Sequence, residues 1–157
     1  MLKKPEVAKS NYIETFIHQI PSLSKLAYQQ ALEKWLEQML TSLNILKAYQ
    51  EENYQQALFL VEKTIGSTVD AHGKYLAWKA HFLLLLKDIA RSGTVLSEAE
   101  RIVPVDPQVP VIRGHWYLVQ GEVSAAIARY IDHGNRKSIE EDLRHISKIF
   151  GITPPAW

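Results

Sequence analysis

Residues 114–126, Gly114-His115-Trp116-Tyr117-Leu118-Val119-Gln120-Gly121-Glu122-Val123-Ser124-Ala125-Ala126, decide how the chain folds. An apolar and aromatic run is punctuated by Gly121-Glu122, and a second apolar-periodic run follows to His133, ahead of Gly134. That reads as two helices joined by a tight turn, with Glu122 in the turn and Gly134 as a C-terminal stop. Gly114 stands twelve residues before Ala126, one small residue on each helix. Where two helices cross closely only small side chains fit, and a bulky neighbour one turn away fills the remaining gap.

Working outward, the same spacing recurs upstream. Ala57, Ser92 and Ala126 are separated by 35 and 34 residues. Ile45, Ala80 and Gly114 match twelve positions before them, Ala48, Leu83 and Tyr117 nine before, and Val61, Leu96 and Tyr130 four after. Asn53, Asp88 and Glu122 fall at the three turns. A period of this length marks stacked helical hairpins, each of which buries its apolar face against the next. No Gly or Pro interrupts Ser22 to Ile65, and Leu32, Trp35, Leu36, Met39, Leu40, Leu43 and Leu46 recur there at helical spacing. Helices are expected near 11–19, 24–40, 42–51, 54–65, 72–86, 89–103, 109–120, 123–133 and 138–149, the second and third continuous unless Thr41-Ser42 breaks them. Asn53 with Gln56 and Ser138 with Glu141 have capping-box spacing. Asp106-Pro107 is a helix entry, with Pro110 leaving its first residue open. The expected class is all-α: one helical domain over 1–157, with an N-terminal extension (1–40), three hairpins (41–137), and a capping helix and tail (138–157).

Composition narrows the function. With 157 residues, 46% hydrophobic and 22% charged, the chain is long enough to bury a core of its own. Eighteen Lys and Arg balance seventeen Asp and Glu, so no strong field favours nucleic acid or an anionic membrane. The lack of cysteine removes disulfides, thiolate metal sites and cysteine catalysis. Glu14, His18 and Pro21 interrupt the only leader-like run, and the longest apolar stretch, Phe82 to Leu86, is too short to span a bilayer. A cytoplasmic protein without membrane insertion is expected.

From about Leu40 to Ser138 the layout resembles the tetratricopeptide repeat, most closely over Tyr49-Gln50-Glu51-Glu52-Asn53-Tyr54-Gln55-Gln56-Ala57 and over Gly114 to Val123. Ala99 and Pro104 sit where the middle repeat needs a small residue and a closing proline. The chain departs from the pattern at Thr41, Leu76 and Pro110, which replace the early Trp. Ser92 stands for Ala, and Val69 and Ser138 stand for the closing Pro. The alternative is an irregular bundle with hairpins of matching length. The resemblance implies a concave groove lined by the first helix of each hairpin, a TPR-like superhelix, and a protein ligand. Carried over by position, the partner-binding residues are Leu43, Leu46 and Tyr49 from the first hairpin. The second gives Lys74, Trp78, His81, Leu84 and Leu85, and the third gives Ile112, His115, Leu118 and Val119.

Such a wall is too apolar to face water unattended. Its expected cover is an apolar or amphipathic helical segment of another protein, a second copy in a homodimer, or the chain's own N-terminal stripe Tyr12, Ile13, Phe16, Ile17 and Ile20. Only Lys74 offers positive charge, too little to clamp a C-terminal carboxylate. The expected function is therefore a non-enzymatic adaptor, assembly factor or chaperone, with a layout similar to small bacterial secretion chaperones of the tetratricopeptide class. No catalytic residues, cofactors or metal ligands are expected. The chain has no G-x-S-x-G, dinucleotide fingerprint or H-E-x-x-H, and His81 and His115 share a repeat position but lack a third ligand. Glu140-Glu141-Asp142 reads as a first-turn complement to the helix dipole. Arg91, Arg101, Arg113, Arg129 and Arg136 are interspersed with acids, and the greasy groove lacks the polar code residues of RNA-reading repeats.

Overall fold

The three hairpin turns are copies of one another. Glu52, Lys87 and Gly121 all take a left-handed backbone, with φ of 60°, 65° and 83°. In each turn the next residue's N–H reaches back five positions: Asn53 to the Ala48 carbonyl at 2.9 Å, Asp88 to Leu83 at 2.9 Å, and Glu122 to Tyr117 at 3.0 Å. This is the helix stop in which a left-handed residue folds the chain back onto the last free carbonyls. Asn53 Oδ1 and Asp88 Oδ1 then accept the N–H groups of Gln56 and Arg91, both at 3.2 Å, and start the second helix of their hairpins.

The computed structural model describes residues 25–67 and 72–157. Among them are seven helices and no strand: α1 (Lys25–Gln50), α2 (Tyr54–Ser67), α3 (His72–Leu85), α4 (Ile89–Glu100), α5 (Gln108–Val119), α6 (Val123–His133) and α7 (Arg136–Phe150). The fold is all-α, of the helical-repeat kind. The helix expected at 11–19 and the N-terminal apolar stripe lie outside the described residues. The chain divides into two compact units, Met1–Ser42 and Leu43–Trp157. The core, the polar network and the cleft all belong to the second.

Thr41-Ser42 does not break α1, because the Thr41 hydroxyl bonds back to the Glu37 carbonyl at 2.9 Å within the helix. Ser138 does not open α7; Asn135 takes the cap, accepting the Ser138 N–H at 3.2 Å, and the helix starts at Arg136. Pro110 sits in the first turn of α5, where a missing N–H loses no helical bond. Gly134 follows α6 as expected, but in an extended conformation; a Cβ there would lie 1.9 Å from Ile139 Cδ1, so the glycine makes room for α7.

The anchors Ala57, Ser92 and Ala126 are wholly buried. Ser92 replaces the expected Ala without leaving a polar orphan, since its hydroxyl donates to the Ala80 carbonyl at 2.7 Å, across the same hairpin. Gly114 is pressed so closely against α6 that a Cβ would come within 2.8 Å of Tyr130 Cε1. One apolar cluster joins α3, α4 and α5 through residues such as Ala80, Leu83, Leu96 and Ile112. A larger one gathers Ile45, Ala57, Phe82, Leu118, Tyr130 and Ile146, with Ile152 and Trp157 packed on its edge. The tail therefore docks: the Trp157 ring lies 5.5 Å from that of Tyr130 and 4.1 Å beneath the Arg136 guanidinium, which donates to the Trp157 carbonyl.

Candidate functional site

Helix α7 carries Ile139, Leu143 and Ile146 on one buried face, and Asp142 falls on the same face at helical spacing. The helix therefore inserts a carboxylate among the side chains expected to line the groove. Asp142 Oδ1 accepts the Tyr49 hydroxyl at 2.7 Å and lies 3.6 Å from His81 Nε2. Its Oδ2 is 2.9 Å from His115 Nε2, and His115 Nδ1 is 2.7 Å from the Tyr130 hydroxyl. His81 Nε2 is also 3.0 Å from the Tyr49 oxygen. One turn along α7, His145 stacks on Tyr49 with ring centres 4.1 Å apart, and its Nδ1 meets the Tyr54 hydroxyl at 2.6 Å. Five helices (α1, α3, α5, α6 and α7) thus converge on one carboxylate, with α2 tied to the same α7 face.

Burial alone would raise the Asp142 carboxyl. The neighbouring His81 and His115, with the hydrogen bonds from His115 and Tyr49, outweigh it and hold the group down at about 2. Burial pushes His81 down to about 4 against the pull of Asp142, so its ring is neutral at pH 7. Burial also lowers His145. Burial, reinforced by Asp142, raises the hydroxyls of Tyr49 and Tyr130, and burial takes Tyr54 up to about 12, so all three keep their protons.

These states fix the donors. Tyr49 spends its proton on Asp142, so its oxygen accepts from His81 Nε2–H. His115 donates from Nε2 to the carboxylate, which can only accept, and its Nδ1 pairs with the Tyr130 hydroxyl. His81 Nδ1 is left buried, with no hydrogen-bond partner among the described residues.

Beside the network opens a cleft of ≈ 540 Å³, bounded by the inner sides of α1, α3 and α5 and by the start of α7. Leu46, Trp78, Phe82, Val111, Ile112 and Ile139 supply its apolar wall. Gln50, Lys74, Gln108, Asn135, Ser138 and Glu141 supply its polar edge, and Asp142, His81 and Tyr49 also border it. Trp78 is held in place by donating Nε1–H to Gln108 Oε1 at 2.7 Å, with the Lys74 ammonium 4.7 Å from its ring centre.

Of the residues expected in the groove, Leu46, Tyr49, Lys74, Trp78, His81 and Ile112 are brought together at this cleft. Leu43 is exposed on α1, Val119 is half-buried, and Leu84, Leu85, His115 and Leu118 are buried in the core. Asp142, Tyr130, Tyr54 and His145 were not anticipated as part of the site. The legible signal for Asp142 was an acid interrupting an apolar stripe rather than preceding one.

Among the described residues no three His, Asp or Glu side chains form a group that could hold a metal ion, and no helix is long and apolar enough to cross a membrane. No family model matches the chain, and neither the curated proteins nor the solved structures yield a match.

Proposed function

We propose that this protein is a non-enzymatic interaction module of tetratricopeptide-like hairpins, a cytoplasmic adaptor, assembly factor or chaperone that receives an apolar or helical segment of a partner protein. The observation that carries the reading is the cleft at the inner faces of all three first helices, with an apolar wall around Trp78 and a polar edge. Binding sites for apolar side chains have this make-up: greasy walls supply affinity and a few fixed polar groups supply orientation. The triplicate turns and the matched anchors at 35- and 34-residue spacing support the repeat assignment. The Asp142 network supports a holding role for its residues, because both carboxylate oxygens are already engaged by Tyr49 and His115.

The cleft accommodates a few side chains rather than a whole helix along its length, since α7 occupies the remainder of the inner face. A partner would anchor there by one or two bulky apolar residues. Affinity capture from the native host with the intact chain and with Trp78→Asp tests this. Proteins retained by the wild type are expected to be lost from the variant, with the helical circular dichroism signal preserved. An unchanged set of captured proteins would refute a role for the cleft.

A further inference from the structure

The polar edge of the cleft is not an even mixture of donors and acceptors. An indole N–H and a backbone N–H can only donate, so each fixes the orientation of the amide it meets. Trp78 Nε1–H takes Gln108 Oε1 at 2.7 Å, and the Ser138 N–H takes Asn135 Oδ1 at 3.2 Å. Both amides are left with their NH2 groups to offer, and both residues are exposed beside the cleft. Lys74 adds a charged donor: its ammonium lies 4.7 Å from the Trp78 ring centre and makes no ion pair among the described residues. Asp106, next to Pro107, spends its Oδ1 on the Gln108 N–H at 2.9 Å. The acids that border the cleft itself are Glu141 and Asp142 of α7, and both oxygens of Asp142 are engaged by Tyr49 and His115. The cleft is thus rich in donors around Trp78 and negative beside Tyr49.

We infer that the partner segment seats an aromatic side chain in this cleft and sets a neighbouring acidic side chain on Lys74 and Gln108. This preference presupposes the protein-binding role proposed above and adds the chemistry of the segment. Trp78 and Phe82 give the wall aromatic faces, against which a further ring packs favourably. The volume of ≈ 540 Å³ falls within the roughly 300–1,000 Å³ of sites that enclose a small ligand, enough for one ring and part of its neighbour. Charge then sets the neighbour. A side-chain carboxylate answers an ammonium with opposite charge and answers an amide NH2 with an acceptor, whereas a basic residue beside Trp78 would meet the Lys74 ammonium. Glu141 repels the same carboxylate from the Tyr49 end, so the acid has one favourable place. One lysine is too little to clamp a chain end, but it suffices to orient a single side chain at a wet edge.

Titration of the isotope-labelled full chain with three blocked tripeptides tests it, read by NMR at the Trp78 indole N–H: acetyl-Asp-Trp-Asp-amide, acetyl-Asn-Trp-Asn-amide and acetyl-Lys-Trp-Lys-amide. The acidic peptide is expected to bind about fivefold more tightly than the neutral one at low salt, with the basic one weakest, and the preference should shrink as salt screens the pair. Lys74→Gln should erase the preference and Lys74→Glu should reverse it, with helicity unchanged. Lys63→Gln, which removes the same charge from an exposed site on α2 outside the cleft, should leave it intact. Equal binding of the three peptides, a preference for the basic one, or a preference indifferent to Lys74→Gln would overturn the acidic partner and leave the cleft as a binding site. Binding of none of them at millimolar concentration would overturn both.

Discussion

Replacing Asp142 with alanine tests whether the buried network holds α7 against the hairpins. The substitution removes the acceptor of the Tyr49 hydroxyl at 2.7 Å and of His115 Nε2–H at 2.9 Å, and leaves both donors in the interior. A hydrogen bond to a charged group contributes about 1.5–3 kcal/mol, and a buried donor left without a partner costs about 1–3 kcal/mol. The terms overlap, because the neighbours relax, so the expected loss is the roughly 3–5 kcal/mol typical of breaking a buried charged pair. For a domain of this size each kcal/mol shifts Tm by about 2–4 °C, which places the variant on the order of 10 °C below the wild type. Urea unfolding followed by circular dichroism gives the free energy directly. Glu140→Ala on the same helix is the control, since that side chain is 60% exposed and only 3.9 Å from Arg136 in a loose pair. It should lie within about 0.5 kcal/mol of the wild type. An Asp142→Ala variant that loses under about 1 kcal/mol would refute the claim that this carboxylate ties the helices together.

Acid should weaken the fold in two stages. His81, held at about 4 when folded against an ordinary 6.5, takes up a proton in the unfolded chain first, so stability falls as pH drops from about 6.5 towards 4. Asp142, held at about 2 against 3.8, adds a second loss as pH falls from about 4 to 2. Chemical denaturation at a series of pH values should therefore give a plateau near neutrality and a decline beginning near 6.5; constant stability down to pH 5 would contradict the burial of neutral His81. A separate expectation concerns the turns. Lys87 holds φ at 65°, where only Gly121 among the three equivalents is free of side-chain strain. Lys87→Gly should stabilise by about 0.5–1 kcal/mol in the same denaturation assay, and a destabilised variant would argue against strain at that turn.

What the sequence determined by itself was local and periodic. Helix, turn and repeat register follow from contacts a few residues apart, so Ala57, Ser92 and Ala126, with Asn53, Asp88 and Glu122 at the turns, could be read as equivalent positions before any packing was known. The buried crossing residues, the hairpin turns and the all-α class all rest on that information. The same logic placed His81 and His115 on one inner face, where their rings lie 5.4 Å apart.

Tertiary structure decided what those faces meet. Tyr49 and Asp142 are 93 residues apart, and no short-range pattern separates an acid that complements a helix end from one that is driven into the groove. Ile139, Leu143 and Ile146 pull α7 inward by burying apolar area, and Asp142 is carried with them into a place where only hydrogen-bond donors can keep it charged. Gln108 likewise lies 30 residues from the Trp78 indole it fixes. Helical period dictates which side chains share a face; only the packing of distant segments settles whether that face is filled by the chain itself or left open to another.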